Sequence, residues 1–306
     1  MADRNGSRVL VTGGSGFIGR RLVHALLADG AEVTSVDRKP FPNPDSPVKS
    51  VLGDLCDPAV IEQSVQPGLD CVIHLAAVTS VLKSMADPAA TYELNVGVTA
   101  GLLERGRQVG VPSFVLASTN AVTGDVGRSV ITERIPLRPL TPYGATKAAG
   151  EMLLSAYAGS YGMTCAALRF SNVYGPGMEA KDSFIPRLMR AARDGQGVQV
   201  YGDGTQVRDL VHVDDIVAGI RIAWDAGHSG PLILGSGESV TVNDIVAAAR
   251  NVTGAPIPTE YVPPKPGEMP AVIIDISAAR ELGYQPGYDL TSGIATVWPE
   301  FERAAR

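Results

Sequence analysis

The chain predicts an α/β fold, a doubly wound parallel sheet with a smaller α/β lobe. Three observations carry this. Short apolar runs alternate with helical stretches from residue 8 to residue 170. A glycine-rich turn joins the first strand to the first helix. After Val173-Tyr174-Gly175-Pro176-Gly177 the texture shifts to shorter elements with more Pro and Gly, as expected of a lobe that covers strand ends.

Arg8-Val9-Leu10-Val11-Thr12 has the length and apolarity of a buried strand, and Gly13-Gly14-Ser15-Gly16-Phe17-Ile18-Gly19 follows at once. Residues 20–29 have helical periodicity, and Gly30 stops that helix. Strand, glycine turn and helix in this order fit a dinucleotide fingerprint: glycines permit a tight turn and close backbone approach, so a pyrophosphate can sit on the helix N-terminus. The next strand, 32–36, ends in Asp37, about 20 residues on, where a carboxylate accepts bonds from ribose hydroxyls and repels a 2′-phosphate. That favours NAD over NADP, while the adjacent Arg38 pulls the other way.

Pro40 to Pro47 reads as a loop. Gly53-Asp54-Leu55 closes the next strand, and Asp54 is placed either to bond an adenine amino group or to cap the helix before Pro58. The strand 71–77 ends in the small residues Ala76 and Ala77, which let a cofactor lie close; His74 within it reads as a core histidine. A long helix spans 87–109, a strand 113–117 runs into Ser118-Thr119-Asn120, a helix follows to Tyr161, and a strand covers 164–170. In the second part, 183–193 reads as a helix, 198–201 as a strand, 214–225 and 277–282 as helices, and 263–270 as a loop.

The chain has 306 residues, room for one large or two modest domains with ample core. Its net charge of −6, without a basic run, argues against nucleic acid or an anionic membrane as partner. No apolar run is long enough to span a bilayer and the opening residues lack a signal-peptide core, so a cytoplasmic location is expected. Cys56, Cys71 and Cys165 are scattered and read as buried free thiols; no metal site is expected.

Thr141-Pro142-Tyr143-Gly144-Ala145-Thr146-Lys147 puts a tyrosine and a lysine four apart on one face of a helix. An ammonium near a phenol favours the phenolate, which suits a proton-transferring base near neutral pH. By themselves such pairs are usually surface neighbours.

In context the chain resembles the extended short-chain dehydrogenase/reductase family, which holds the NAD-dependent nucleotide-sugar epimerases and dehydratases. The resemblance runs over nearly the whole chain: Thr12 to Gly19, Gly53-Asp54-Leu55, His74-Leu75-Ala76-Ala77, Asn95-Val96, Ser118-Thr119, Tyr143-x-x-x-Lys147, Arg169 to Pro176, and Arg208-Asp209-Leu210-Val211-His212-Val213-Asp214-Asp215. It implies a Rossmann-type NAD-binding domain over residues 1–172 and about 205–238, interleaved with a nucleotide-sugar-binding lobe over 173–204 and 239–306. NAD would be held by Gly13, Gly16, Phe17, Ile18, Gly19, Asp37 and Arg38. Asp54, Leu55, Leu75, Ala76, Ala77, Asn95, Tyr143 and Lys147 would complete that site.

The resemblance also implies roles. Tyr143 takes a proton from a sugar hydroxyl, Lys147 holds the nicotinamide ribose and lowers the tyrosine pKa, and Thr119 positions the reacting oxygen. Asn172 and Arg208 hold the diphosphate of a nucleotide sugar, expected to be UDP-linked; the plainer alternative for Arg208 is a salt bridge to Asp209 or Asp215, and for Thr119 a hydroxyl capping its own backbone. The helices 87–109 and 142–161 resemble those that pair in the family's homodimer.

Departures narrow the activity. Family dehydratases carry an Asp-Glu pair right after the threonine, and decarboxylases a glutamate at its second position; here stand Asn120 and Ala121, which cannot act as an acid/base pair. That leaves a 4-epimerase, which oxidises C4 to a keto sugar and reduces it again on the other face, with a keto-reductase or dehydrogenase, a dehydratase, or a non-catalytic sensor as alternatives. Thr123 stands where the family usually has tyrosine, and Lys265 where it has its second diphosphate arginine, a charge without the planar fork.

Overall fold

The structure is a computed structural model that describes residues 4–264 and 270–303. In chain order its strands are β1 (Arg8–Thr12), β2 (Glu32–Asp37), β3 (Lys49–Leu52), β4 (Cys71–His74), β5 (Ser113–Thr119), β6 (Val130–Ile131), β7 (Thr164–Phe170), β8 (Asn172–Tyr174), β9 (Val198–Tyr201), β10 (Val207–His212), β11 (Gly230–Leu234), β12 (Ser239–Thr241), β13 (Thr259–Val262) and β14 (Ile273–Ile274). The α-helices are α1 (Phe17–Ala28), α2 (Pro58–Ser64), α3 (Val81–Ala86), α4 (Pro88–Tyr92), α5 (Val98–Val109), α6 (Pro142–Tyr161), α7 (Phe184–Asp194), α8 (Val213–Asp225), α9 (Val242–Thr253), α10 (Ser277–Glu281) and α11 (Leu290–Arg303).

Contacts divide the chain into two compact units. The first takes the chain up to Asp125, then Glu133–Phe170 and Val217–Ile233; the second takes Val126–Thr132, Ser171–Ile216 and the chain from Leu234 on. The family resemblance implied that about 205–238 belongs to the first part. By contacts, 205–216 and 234–238 fall in the second unit, the former because β10 is hydrogen-bonded there between β8 and β12.

The first unit holds a Rossmann-type sheet in the order β11-β7-β5-β4-β1-β2-β3, parallel at every pairing from β3 to β7. Strand order reverses between β1 and β4, the switch point where ligands of such sheets bind beyond the strand carboxyl ends. The core on one side of the sheet combines Leu10, Val72, Phe114, Leu116 and Ala167 of the strands with Val98, Leu102, Leu103 and Leu154 of the helices. These strands are apolar in unbroken runs because both faces are covered.

The helix expected over 87–109 is interrupted. α4 passes into a π-helical turn, Glu93–Gly97, before α5 continues. The inserted residue lets Asn95 leave the helical ladder: its Oδ1 accepts the Val78 N–H at 2.8 Å, and its Nδ2 donates to the Val78 carbonyl and to Thr146 Oγ1 of α6. α6 starts at Thr141, whose hydroxyl accepts the Gly144 N–H, with Pro142 in the first turn, and ends at Gly162 with φ +70°.

In the second unit β12-β10-β8 form a three-stranded sheet, β13 pairs with β9 and β14 with β6. The fully buried Asp209 is its polar anchor. Its carboxylate accepts from the hydroxyls of Ser171 and Ser236 and from the N–H groups of Ser236 and Gly237, while burial pushes its pKa up.

Cys71 and Cys165 are buried free thiols as expected, but Cys56 is exposed, lying in the turn that leads into α2 rather than in a strand. Among the described residues no helix is long and apolar enough to cross a membrane, and no group of His, Cys, Asp and Glu is arranged to hold a metal ion.

Candidate active site

The glycine turn is shaped by contacts within the first unit. Gly13 has φ +70°, and a Cβ there would lie 2.9 Å from the Ala76 nitrogen. At Gly19 a Cβ would lie 2.1 Å from the Gly13 carbonyl oxygen. Both positions therefore need glycine for the fold itself. Gly16 differs: an added Cβ would meet only the Gly13 oxygen, at 3.1 Å. Its glycine leaves space for something outside the chain. α1 begins beside it with no side-chain cap and no acid in its first turn, where Phe17 and Ile18 are half-buried. An uncapped helix N-terminus reached over a bare backbone fits a pyrophosphate.

Asp37 closes onto this turn: Oδ2 accepts the Ser15 N–H at 3.2 Å and Oδ1 the Lys39 N–H at 3.0 Å. Across the switch point Thr12 Oγ1 accepts the N–H groups of Leu75 and Ala76, so its own proton goes to His74 Nδ1 at 2.6 Å. His74 is a buried core histidine as expected, held neutral with its pKa lowered to about 3 by burial and by the charge of Lys147. The structure thus brings the glycines, Asp37 and Leu75 to Ala77 together. Arg38 and Asp54 form an exposed pair at 3.8 Å, and Leu55 is buried in the core. The capping alternative for Asp54 falls to Asp57, which accepts the Ala59 N–H and caps α2. Asn95 has both its amide hydrogens and its oxygen engaged inside the protein, so it fixes the backbone at Val78 against α6.

Of the three expected catalytic residues, Thr119 at the end of β5 and Tyr143 at the start of α6 come together, and Lys147 lies one turn further along α6. Thr119 is the last residue of β5; its hydroxyl lies close enough to the Tyr143 phenol to pull its pKa down, and it accepts the Ala121 N–H at 3.2 Å, the capping role that was its plainer alternative. Two small contacts allow the approach. A Cβ at Gly144 would lie 2.7 Å from the Ala121 carbonyl oxygen, and one at Gly150 2.9 Å from the Leu116 side chain. The Tyr143 N–H donates to Ser84 Oγ, a fully buried hydroxyl of α3.

The electrostatics differ from the sequence expectation. Burial raises the Tyr143 pKa and the Thr119 hydroxyl opposes it. Lys147 is itself buried, which lowers its pKa to about 8 against the pull of Glu151. The lysine sheds its proton before the buried phenol ionises, so no ammonium stands beside the phenolate in the protein alone.

Asn120 and Ala121, at the positions of the dehydratase acids, offer no titratable group. Both amide atoms of Asn120 are buried without a hydrogen-bond partner, and its carbonyl accepts the Thr123 hydroxyl at 2.8 Å. Thr123, at the family's usual tyrosine position, is buried.

Asn172 and Arg208 lie in the second unit on the neighbouring strands β8 and β10. The exposed Asn172 donates to the Asp209 carbonyl, and Arg208 to the Val207 carbonyl. The acids named as alternative partners of Arg208 serve other groups: Asp209 as above, and Asp215 accepts the Gly287 N–H. Lys265 lies outside the described residues.

A family model for the NAD dependent epimerase/dehydratase family matches residues 9–234. The chain belongs to that family. As a member, it takes NAD as its cofactor, and the glycine turn, Asp37 and the uncapped α1 fit that group. The chain is 36% identical to a dTDP-glucose 4,6-dehydratase of Streptomyces griseus, over 95% of this chain and 93% of that one. Its structure matches that of the UDP-glucose 4-epimerase of Thermotoga maritima with UDP-glucose at a TM-score of 0.91 and 30% identity, covering 98% of this chain and 100% of the other. It matches MoeE5 in complex with UDP-glucuronic acid and NAD at a TM-score of 0.90 and 36% identity, with the same coverage.

This epimerase/dehydratase family member has supporting residues that motif reading missed. Ser84 accepts the Tyr143 N–H, and Ser118 and Glu151 bond each other across β5 and α6. Only Glu151 left a trace in the sequence, as an acid one turn beyond Lys147 on an otherwise apolar helix.

A cavity of about 320 Å3 in the same unit is lined by Glu151, Met152, Ser155, Cys165 and Pro231 among others, and by none of Thr119, Tyr143 and Lys147.

Proposed function

We propose that the chain is an NAD-dependent nucleotide-sugar 4-epimerase acting on a UDP-linked hexose or hexuronate. The observation that carries this reading is the Thr119 hydroxyl set against the Tyr143 phenol, with Lys147 one turn along the helix and an amide and a methyl where an eliminating enzyme needs two acids. Such a site can move one proton on and off one oxygen.

Bound NAD supplies the acceptor and donor of hydride and, when oxidised, a positive charge that favours the phenolate. Tyr143 then takes the proton from the C4 hydroxyl and returns it after the sugar presents its other face. Thr119 holds the reacting oxygen in line with the phenol. Lys147 bonds the ribose hydroxyls of the cofactor and adds its charge when protonated. Asn172, Arg208 and Lys265 grip the diphosphate.

A dehydratase is the second reading, favoured by the Streptomyces griseus relative and opposed by Asn120 and Ala121. Incubation with NAD and UDP-glucose, UDP-glucuronate, UDP-N-acetylglucosamine or dTDP-glucose, followed by NMR of the sugar, tests both. A C4 epimer without net NADH supports the epimerase. A 4-keto-6-deoxy product replaces it with the dehydratase, and stoichiometric NADH change with a dehydrogenase or reductase.

The protein is further proposed to be a cytoplasmic homodimer. Leu82, Met85, Tyr92 and Met152 are exposed on α3, α4 and α6, which pack against one another. Sedimentation at the mass of one chain would reject the dimer.

A further inference from the structure

Glu151 stands on α6 one helical turn beyond Lys147 and is buried. Its carboxylate takes a two-pronged grip from Arg169 of β7, with Nε at 3.0 Å from Oε1 and Nη2 at 2.7 Å from Oε2. It also accepts the hydroxyl of Ser118, the residue before Thr119 on β5. Ser118 and Arg169 are register partners across β5 and β7. Arg169 in turn donates to the Glu133 carbonyl. A single carboxylate thus joins the helix that carries Tyr143 and Lys147 to the strand that carries Thr119 and to its neighbour. Buried charges are costly, and a merely structural junction is served as well by apolar packing.

We propose that Glu151 is a positioning residue for the catalytic pair: gripping Arg169 and Ser118, it fixes α6 against β5 so that Tyr143 meets Thr119, and it keeps a negative charge one turn from Lys147. The second role follows from what surrounds the lysine. His74 of β4 is neutral, Tyr143 on its own helix is un-ionised, and β5 offers the hydroxyls of Ser118 and Thr119. Arg169 of β7 is a second cation. The charged groups of the other elements packed on α6 are engaged elsewhere or exposed: Glu104 and Arg107 of α5 pair with each other, Arg105 donates to the Val65 carbonyl, and Lys83 of α3 and Glu93 of the π turn are exposed. Glu151 is therefore the anion that keeps Lys147 protonated, and its pull on the lysine is the one that opposes burial.

The proposal rests on the epimerase reading only for its activity readout, so the deciding measurement is independent of turnover. The full chain is labelled with ε-13C lysine, and the Lys147 signal is assigned by its loss in Lys147→Met and titrated by NMR. Glu151→Gln is expected to lower the Lys147 midpoint from about 8 by at least about half a unit, since the anion is gone and the charge of Arg169 is left uncompensated. Arg169→Gln is expected to raise it. Opposite signs are a signature that loss of packing does not produce.

In turnover, kcat of Glu151→Gln falls with KM little changed, and its alkaline limb moves to lower pH with the lysine. A cooperatively folded Glu151→Gln protein with an unmoved Lys147 midpoint overturns the proposal. Should that variant not fold, Arg169→Gln decides alone, and an unmoved midpoint there overturns it equally. If the midpoints shift as stated but no UDP-sugar is epimerised by the native chain, the epimerase reading fails and the role of Glu151 stands.

Discussion

At the scale of residues, the chemistry reduces to which groups hold a proton and which positions tolerate a side chain. Tyr143→Phe removes the phenol oxygen that the Thr119 hydroxyl acts on. Its 4-epimerase turnover is expected to fall by at least about 100-fold, the usual worth of a general base, while bound NAD is retained. Kinetics together with the NAD content of the purified variant check this, and undiminished turnover rejects Tyr143 as the base. The glycines separate in the same way. Gly16→Ala meets one oxygen at 3.1 Å and is expected to fold with a nearly native melting temperature but bind NAD poorly. Gly19→Ala places a methyl 2.1 Å from the Gly13 oxygen and is expected to lower the melting temperature itself. Equal melting temperatures for the two variants would remove the distinction between a glycine for the ligand and a glycine for the fold.

At the scale of elements, α6 is placed by small residues and by one carboxylate. Gly144 lets its first turn lie 2.7 Å, in virtual Cβ distance, from the Ala121 carbonyl, and this brings Tyr143 to Thr119. Gly144→Ala is expected to push the helix out by a few tenths of an ångström or more, lowering kcat at least about tenfold with a smaller change in stability, because misplacement of that order is costly to catalysis. Parallel measurement of kcat and the urea midpoint checks the split. The π turn before α5 makes the same point from the other side. The periodicity over 87–109 is truly helical, and the sequence showed the helix. What it did not show is that Asn95 spends its side chain on Val78 and Thr146, fastening the chain beyond β4 to α6.

At the scale of the whole molecule, the titration of buried groups sets stability against pH. His74 is neutral with a pKa near 3 when folded, against about 6.5 unfolded, so the unfolded state binds the proton first. Its contribution is complete above pH 6.5 and is lost as pH falls toward 3. Native protein is expected to lose about 2 kcal/mol more between pH 7 and pH 5 than His74→Asn, whose oxygen can still meet Thr12. Urea titrations at the two pH values test this, and parallel losses would mean that His74 does not titrate as a buried neutral group. Lys147 acts in the same direction at higher pH: with a folded pKa of about 8 against about 10.5, it withdraws stability as pH falls between those values and is flat below.

The sequence by itself determined the parallel sheet, the order strand–glycine turn–helix–acid, and the placing of Tyr143 and Lys147 one turn apart on a helix. These are local matters: apolar runs of strand length, glycines at fixed offsets, and side chains one helical turn apart. It also settled that Asn120 and Ala121 carry no acid, because that is a question of residue type. Tertiary structure alone decided that 205–216 folds with the second unit, through pairing of β10 with strands about 30 residues away on either side. It alone decided that burial raises the pKa of Tyr143, since desolvation depends on what packs around a group and not on its neighbours in sequence. And it alone joined Glu151 to Ser118 and Arg169, residues 33 and 18 positions away that share no motif and meet only because β5, β7 and α6 are packed together.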